Sequence, residues 1–194
     1  MTGAYNALAC TTYCLGDFEK ARQYAIHGAQ IWRSAVVQSP VQEVDAPVVS
    51  CLVHKSLSEW HLQEIASCHE AMAEAISLAK ELNDMAALAN AIFNAGLLAH
   101  FEGDVSQAGR SASDVIELST RHNLPFWLTI GSILRGWVRS VSGEPVEGIS
   151  WIEQGIEEYR APGSTLGLPY FLALKAEALF AANRSSEALV LLWQ

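Results

Sequence analysis

A chain of 194 residues, 51% of them hydrophobic and only 17% charged, can bury a continuous core and is too apolar for disorder. Its 12 basic and 21 acidic side chains leave a formal charge of −9, and no run of Lys or Arg exceeds a pair, which argues against a nucleic-acid or anionic-membrane partner. No apolar stretch reaches the ~18 residues that span a bilayer, and residues 1–5 lack the basic-then-apolar pattern of a secretory signal; a reducing cytoplasm is the expected setting.

Ala, Leu, Glu and Gln are abundant, while alternating Val, Ile and Thr are scarce, so the expected class is all-α. Along the chain, a first helical pair is predicted near residues 3–15 and 18–37, turning at Leu15-Gly16-Asp17-Phe18. A connection from Gln38 to Asp45, with Pro40 inside it and Pro47 just beyond, leads to a second pair near 46–62 and 65–82. The third pair covers 85–102 and 105–122 and turns at Glu102-Gly103-Asp104-Val105. The fourth covers 126–142 and 145–160 and turns at Ser142-Gly143-Glu144-Pro145. After Ala161 to Gly167, with Pro162 and Gly163, the fifth covers 167–182 and 185–194 and turns at Ala182-Asn183-Arg184-Ser185.

These turns share a physical logic. Gly16, Gly103, Gly143 and Asn183 suit the left-handed conformation that ends a helix. Asp17 and Asp104 can cap the next helix, Asp104 with Gln107 in the manner of a capping box, and Pro145 suits a helix's first turn. A small residue follows each turn, at Ala21, Cys68, Ala108, Gly148 and Ala188, and the last four recur every forty residues. Small residues let paired helices approach closely, and a pair that cannot bury its apolar face alone must stack on its neighbours. The second turn departs from the pattern, with Gln63 where Gly is expected. The last helix stops at Gln194 without a cap and residues 1–3 lead straight into a repeat. The chain therefore reads as one helical-repeat domain over residues 1–194, cut from a longer protein and able to self-associate through its open C-terminal end, with apolar surface from Leu179 to Trp193.

This pattern resembles the tetratricopeptide repeat (TPR). Tyr5, Leu8 and Ala9 stand where that motif places Trp, Leu and Gly, followed by Gly16, Phe18 and Ala21; Gly96, Gly103 and Ala108 match in the third repeat, and Gly136, Gly143 and Gly148 in the fourth. The period is longer than the usual ~34 residues, implying longer helices. The resemblance implies a right-handed superhelical solenoid of about five antiparallel helix pairs, the last truncated. A narrower resemblance rests on Leu124-Pro125-Phe126-Trp127, Leu134-Arg135-Gly136-Trp137 and Leu168-Pro169-Tyr170-Phe171. These strings are similar to the C-terminal repeats of bacterial multidomain signalling proteins that carry cyclase or activator domains and a P-loop ATPase. No phosphate-binding GxxxxGK[ST] loop is present in this chain.

Candidate chemistry is sparse. Cys51, His54 and His61 share roughly one helix face, but three ligands without a supporting motif make a poor zinc site, and His69-Glu70 lacks the second His of HExxH. The four cysteines read as small buried hydrophobes, and Glu157-Glu158 as solvated surface. No catalytic residue, metal or cofactor is expected. The resemblance implies that one face of each first helix lines a concave groove, where Trp60 with His61, Asn90, Phe93, Leu97 and His100, Ile133 and Trp137, and Tyr170, Ala173 and Glu177 fall. Phe93, Trp137 and Tyr170 are expected to be accessible there, and Trp32, Trp151 and Trp193 to pack between repeats. Aromatics mixed with Asn, His and Glu suit capture of a peptide or protein, including other parts of the same polypeptide. The alternative is a small-ligand or signal-peptide sensor controlling an attached ATPase, cyclase or activator. A pocket closed by Trp137, Tyr170 and Phe126 would favour it.

Overall fold

The structure, a computed structural model, describes residues 1–36 and 46–192. The expected connection from Gln38 to Asp45 and the expected packing of Trp193 lie outside the described residues. The chain folds into helices α1 (Thr2–Cys14), α2 (Phe18–Val36), α3 (Pro47–His61), α4 (Ile65–Glu81), α5 (Met85–Phe101), α6 (Val105–His122), α7 (Pro125–Val141), α8 (Pro145–Arg160), α9 (Leu168–Ala181) and α10 (Ser185–Leu192). No strand occurs among the described residues, and none of their helices is long and apolar enough to cross a membrane.

The turns are built as their residues dictate. Gly16, Gly103, Gly143 and Asn183 all have positive φ. Gln63 adopts the same left-handed conformation at φ 64° despite its β-carbon. Its amide donates to the Trp60 carbonyl at 3.0 Å and the next amide, of Glu64, to the Glu59 carbonyl at 2.8 Å, the same wiring found at Gly16 and Gly103. The turn doubted from the sequence is thus regular. Asp104 caps α6 by accepting the Gln107 amide at 2.8 Å. The reciprocal half of the capping box is replaced, because the Gln107 side chain turns to Arg110 and Ser111. Asp84 caps α5 through Ala87 at 2.9 Å, and its other oxygen accepts the Ala46 amide at the start of α3 at 3.0 Å.

The helices form two compact units, Met1–Asn94 and Ala95–Gln194, divided within α5. In the first, α1 packs on α2 and α3, α2 on α3, and α3 on α4. In the second, α6 packs on α7, α7 on α8 and α9, α8 on α9, and α9 on α10. The contacts of α1 with α3 and of α7 with α9 join successive first helices, as stacked pairs require. All five small anchors are buried: Ala21, Cys68 and Ala108 completely, with Gly148 and Ala188 close behind. The tightest crossing lies between α7 and α8. A β-carbon on Gly136 would stand 2.7 Å from the Gly148 carbonyl, and one on Gly148 would stand 2.7 Å from the Ser140 amide. Backbone meets backbone there, with no room for a methyl group.

Two expectations need correction. Cys51 and Cys68 are buried, the Cys51 thiol pushed up to about 12 by desolvation, but Cys14 is exposed because it ends α1. Near the C-terminus Phe180, Leu189 and Val190 are exposed, whereas Leu179 is buried, since it faces the core side of α9.

Ala108→Leu is expected to destabilise the protein by ~1–3 kcal/mol through overpacking, read as a lower melting temperature; an unchanged melt would show that residue 108 is not a crossing. Gln63→Gly is expected to stabilise by up to ~1 kcal/mol, because it relieves a β-carbon in the left-handed region. A chemical-denaturation midpoint that falls would mean that the Gln63 side chain contributes more than its conformation costs.

Candidate functional site

Four of the eleven side chains assigned to the groove meet in the second unit. Tyr170 and Glu177, seven residues apart, share a face of α9, and Glu177 lies one forty-residue period beyond Trp137 of α7. The indole Nε1–H of Trp137 donates to Glu177 Oε2 at 2.8 Å. His100, in the last turn of α5, places Nε2 at 3.1 Å from the same oxygen and 3.3 Å from the other, and the Tyr170 hydroxyl lies 3.2 Å from His100 Nδ1. One imidazole tautomer satisfies both contacts, with Nε2–H donating to Glu177 and Nδ1 accepting the Tyr170 O–H. The imidazole stands edge-on to Trp137, at 4.6 Å between centroids, and to Tyr170, at 5.6 Å; Phe101 meets Tyr170 edge-on at 6.1 Å.

Burial is graded across this network. Trp137 is 4% exposed. The His100 side chain is 12% exposed and that of Glu177 is 48% exposed. A carboxylate that reaches solvent is therefore fixed from below by two N–H donors on packed rings. The hydrogen bond from His100 is the largest influence holding Glu177 below the usual carboxylate range. Partial burial opposes it, and the attraction of His100 in its protonated form and the Trp137 hydrogen bond add to it.

The expected accessibility of Trp137 and Phe93 is not met. Trp137 is covered where α7 packs on α9, with its polar edge tied to Glu177. Phe93 is 6% exposed, because α5 is apolar nearly all round and has no separable lining face. Tyr170 is half-buried and Glu177 exposed. In the first unit, Asn90 donates to Ser50 Oγ at 3.0 Å and accepts from Asn94 Nδ2 at 2.8 Å, and Trp60 meets His61 edge-on at 5.0 Å. Phe126 packs edge-on to Trp127 and tilts over Tyr159, while Trp137 and Tyr170 meet instead at His100.

One cluster escaped the sequence reading. Phe18 stacks on His61 at 4.0 Å, and the Tyr13 hydroxyl lies 3.1 Å from His61 Nε2. Burial lowers the pKa of both His54 and His61 and raises that of the Tyr13 phenol. His54 Nδ1 is turned to the Ser50 carbonyl at 2.8 Å, so Cys51, His54 and His61 do not converge. No group of three or more His, Cys, Asp or Glu among the described residues could hold a metal ion. The separation of Tyr13 from His61 left no local signal for the contact.

No family model and no curated protein matches the chain. Among solved structures it is similar to a Rap protein complexed with Competence and Sporulation Factor, with a TM-score of 0.75 at 15% identity over 99% of this chain. It spans 52% of that protein, about half its length. It is also similar to a Podosopora anserina protein of kinesin light chain type with nearly identical TPR-like repeats, with a TM-score of 0.60 at 12% identity, covering 98% of this chain and 90% of that one. A variant of the latter gives the same TM-score. The fold is a TPR-like helical repeat. Within this TPR-like frame His100, Trp137 and Glu177 all occupy the later turns of first helices, which is why residues so far apart in sequence share one network.

Trp137→Ala is expected to cost ~3–5 kcal/mol, as a buried aromatic does, and to free Glu177 at the same time. Glu177 titrates lower in the folded than in the unfolded protein. Its contribution to stability is therefore fully present above its ordinary value of 4.5 and lost as pH falls through its lower folded value. The stability difference between wild type and Glu177→Gln, measured by denaturation across pH 2–7, should shrink toward the acid end; a constant difference would show that the carboxylate charge is not stabilised by the network.

Proposed function

We propose that this chain is a non-catalytic binding module, a repeat scaffold that captures a peptide or protein segment carrying a basic group. The observation that carries this reading is Glu177: a solvent-reaching carboxylate kept ionised and oriented by the buried Trp137 and the largely covered His100, bordered by the rings of Tyr170 and Phe101. Such a group receives an ammonium or guanidinium without first reorganising, and the aromatic rings beside it favour a cation further. The fold likeness to a Rap protein solved with Competence and Sporulation Factor supports a binding role. The narrower sequence resemblance supports a place in a longer bacterial signalling polypeptide, where the captured segment could belong to another part of the same chain.

The test is fluorescence anisotropy with labelled hexapeptides of graded charge. Peptides rich in Lys or Arg should bind best, and Glu177→Gln should weaken them by about tenfold, as expected for loss of one charge-assisted contact. Equal binding of cationic and anionic peptides, or cationic binding untouched by Glu177→Gln, rejects the reading.

A further inference from the structure

On a different face of the second unit, α6 and α7 enclose an open cleft of about 770 Å³. Its lining reverses the sign of the molecule. Arg110 comes from α6 and Arg135 and Arg139 from α7, with Ser106, Ser113 and Ser142 among them, Val105, Gly109 and Val138 beneath, and Glu144, the one carboxylate of the lining, at the Arg139 end. On α6, Ser106, Arg110 and Ser113 are spaced at three and four residues and so share one helix face; on α7, Arg135 and Arg139 do the same, with Ser142 capping the helix just beyond them. Gly109 keeps the floor open: a β-carbon there would stand 3.3 Å from Val138 Cγ1, and any longer side chain would grow into the cleft.

The three guanidinium groups differ in their partners. Arg139 is neutralised, bonded to Glu144 and, at 2.7 Å, to Glu147, and it lies 5.2 Å over the Trp151 ring. Arg110 bonds only neutral oxygens, Ser106 Oγ at 2.7 Å and Gln107 Oε1 at 2.6 and 2.9 Å. Arg135 donates to Ser113 Oγ. Among the described residues neither Arg110 nor Arg135 has a carboxylate within ion-pair distance. In a protein with 21 acidic side chains, two cations directed into one cleft and paired only with hydroxyl and amide oxygens are prepared for a negative charge from outside.

We propose that this cleft binds a phosphoryl group of a small-molecule ligand, with Arg110 and Arg135 as its cations and Ser106 as a hydroxyl donor, while Ser113, whose own hydroxyl donates to the Gly109 carbonyl at 2.8 Å, holds Arg135. The donor set selects the class. Two planar guanidinium forks and a hydroxyl match the three oxygens and up to two charges of a phosphoryl group better than the two oxygens and single charge of a carboxylate. The site is separate from the Glu177 network and does not depend on its role.

Isothermal titration of the full chain with inorganic pyrophosphate, at constant ionic strength, tests this. Saturable one-site binding is expected, weakened about tenfold or more by Arg110→Gln and by Arg135→Gln, since each removes a charge-assisted contact. Ser106→Asp, at an exposed position, should abolish it by supplying Arg110 with an internal carboxylate. Arg33→Gln, a surface cation of the other unit, should leave it unchanged; this control and Ser106→Asp keep the test sound if Arg135→Gln fails to fold. Binding that is absent, that falls equally with Arg33→Gln, or that survives Ser106→Asp overturns the proposal. Succinate binding as tightly as pyrophosphate overturns the phosphoryl assignment.

Discussion

Where α7 crosses α8, the carbonyl of Gly148 occupies the space that a side chain on Gly136 would need, and the backbone at Ser140 closes on Gly148 in turn. Such contact fixes two helices in rotation and in register together, because sliding either one would drive a β-carbon into a peptide group. The buried anchors Ala21, Cys68, Ala108 and Ala188 occupy the same station in the other pairs. Between crossings the larger side chains, such as Leu52, Ile133, Leu134, Ile152 and Leu174, fill the space that the close approach leaves.

Fixed register has a consequence for polar chemistry. Because successive first helices pack side by side within each unit, residues one repeat apart in sequence become neighbours in space. Ser50 and Asn90 bond across one such step, and Trp137 and Glu177 across another. Between the first and second repeats, whose anchors Ala21 and Cys68 lie 47 residues apart, surface pairs join Arg22 with Glu64 and Arg33 with Glu74 at other offsets. The Glu177 network is thus a local use of a general property of the array: a polar residue placed at a repeat position meets whatever occupies that position in the adjacent repeat.

That property also marks what the sequence could reveal. Helix ends were legible to within a residue or two, because Gly, Asn, Asp and Pro act on the backbone next to them. Even Gln63 folds as its neighbours do, since the helices on both sides impose the turn. Membership of one face was legible as well, and it brought His100, Trp137, Tyr170 and Glu177 together. Depth was not. Phe93 sits on a helix whose apolar residues extend around the axis, so no periodicity separated a lining ring from a packed one, whereas Trp137 belongs to the regular buried stripe of α7 with Ile130, Ile133 and Leu134. The contact of Tyr13 with His61, between two repeats spaced by 47 residues, fell outside the forty-residue pattern and left no trace there.

The arginine cleft shows the same limit in its electrostatic form. A formal charge of −9 describes the whole chain, and the absence of a basic run describes neighbours along it. Neither describes a surface assembled from α6 and α7, where Arg110 and Arg135 stand together although twenty-four other residues separate them in sequence. Screening confines a surface charge's influence to roughly 10 Å, so the local set of side chains, and not the total, governs what a cleft of this size attracts. Trp137 and Arg135 make the point on a single helix. Two residues apart, they project about 200° from one another around α7, one buried beneath an anionic carboxylate and the other lining a cationic cleft. One helix can therefore present surfaces of opposite sign, provided that close packing at Gly136, between them, holds it still.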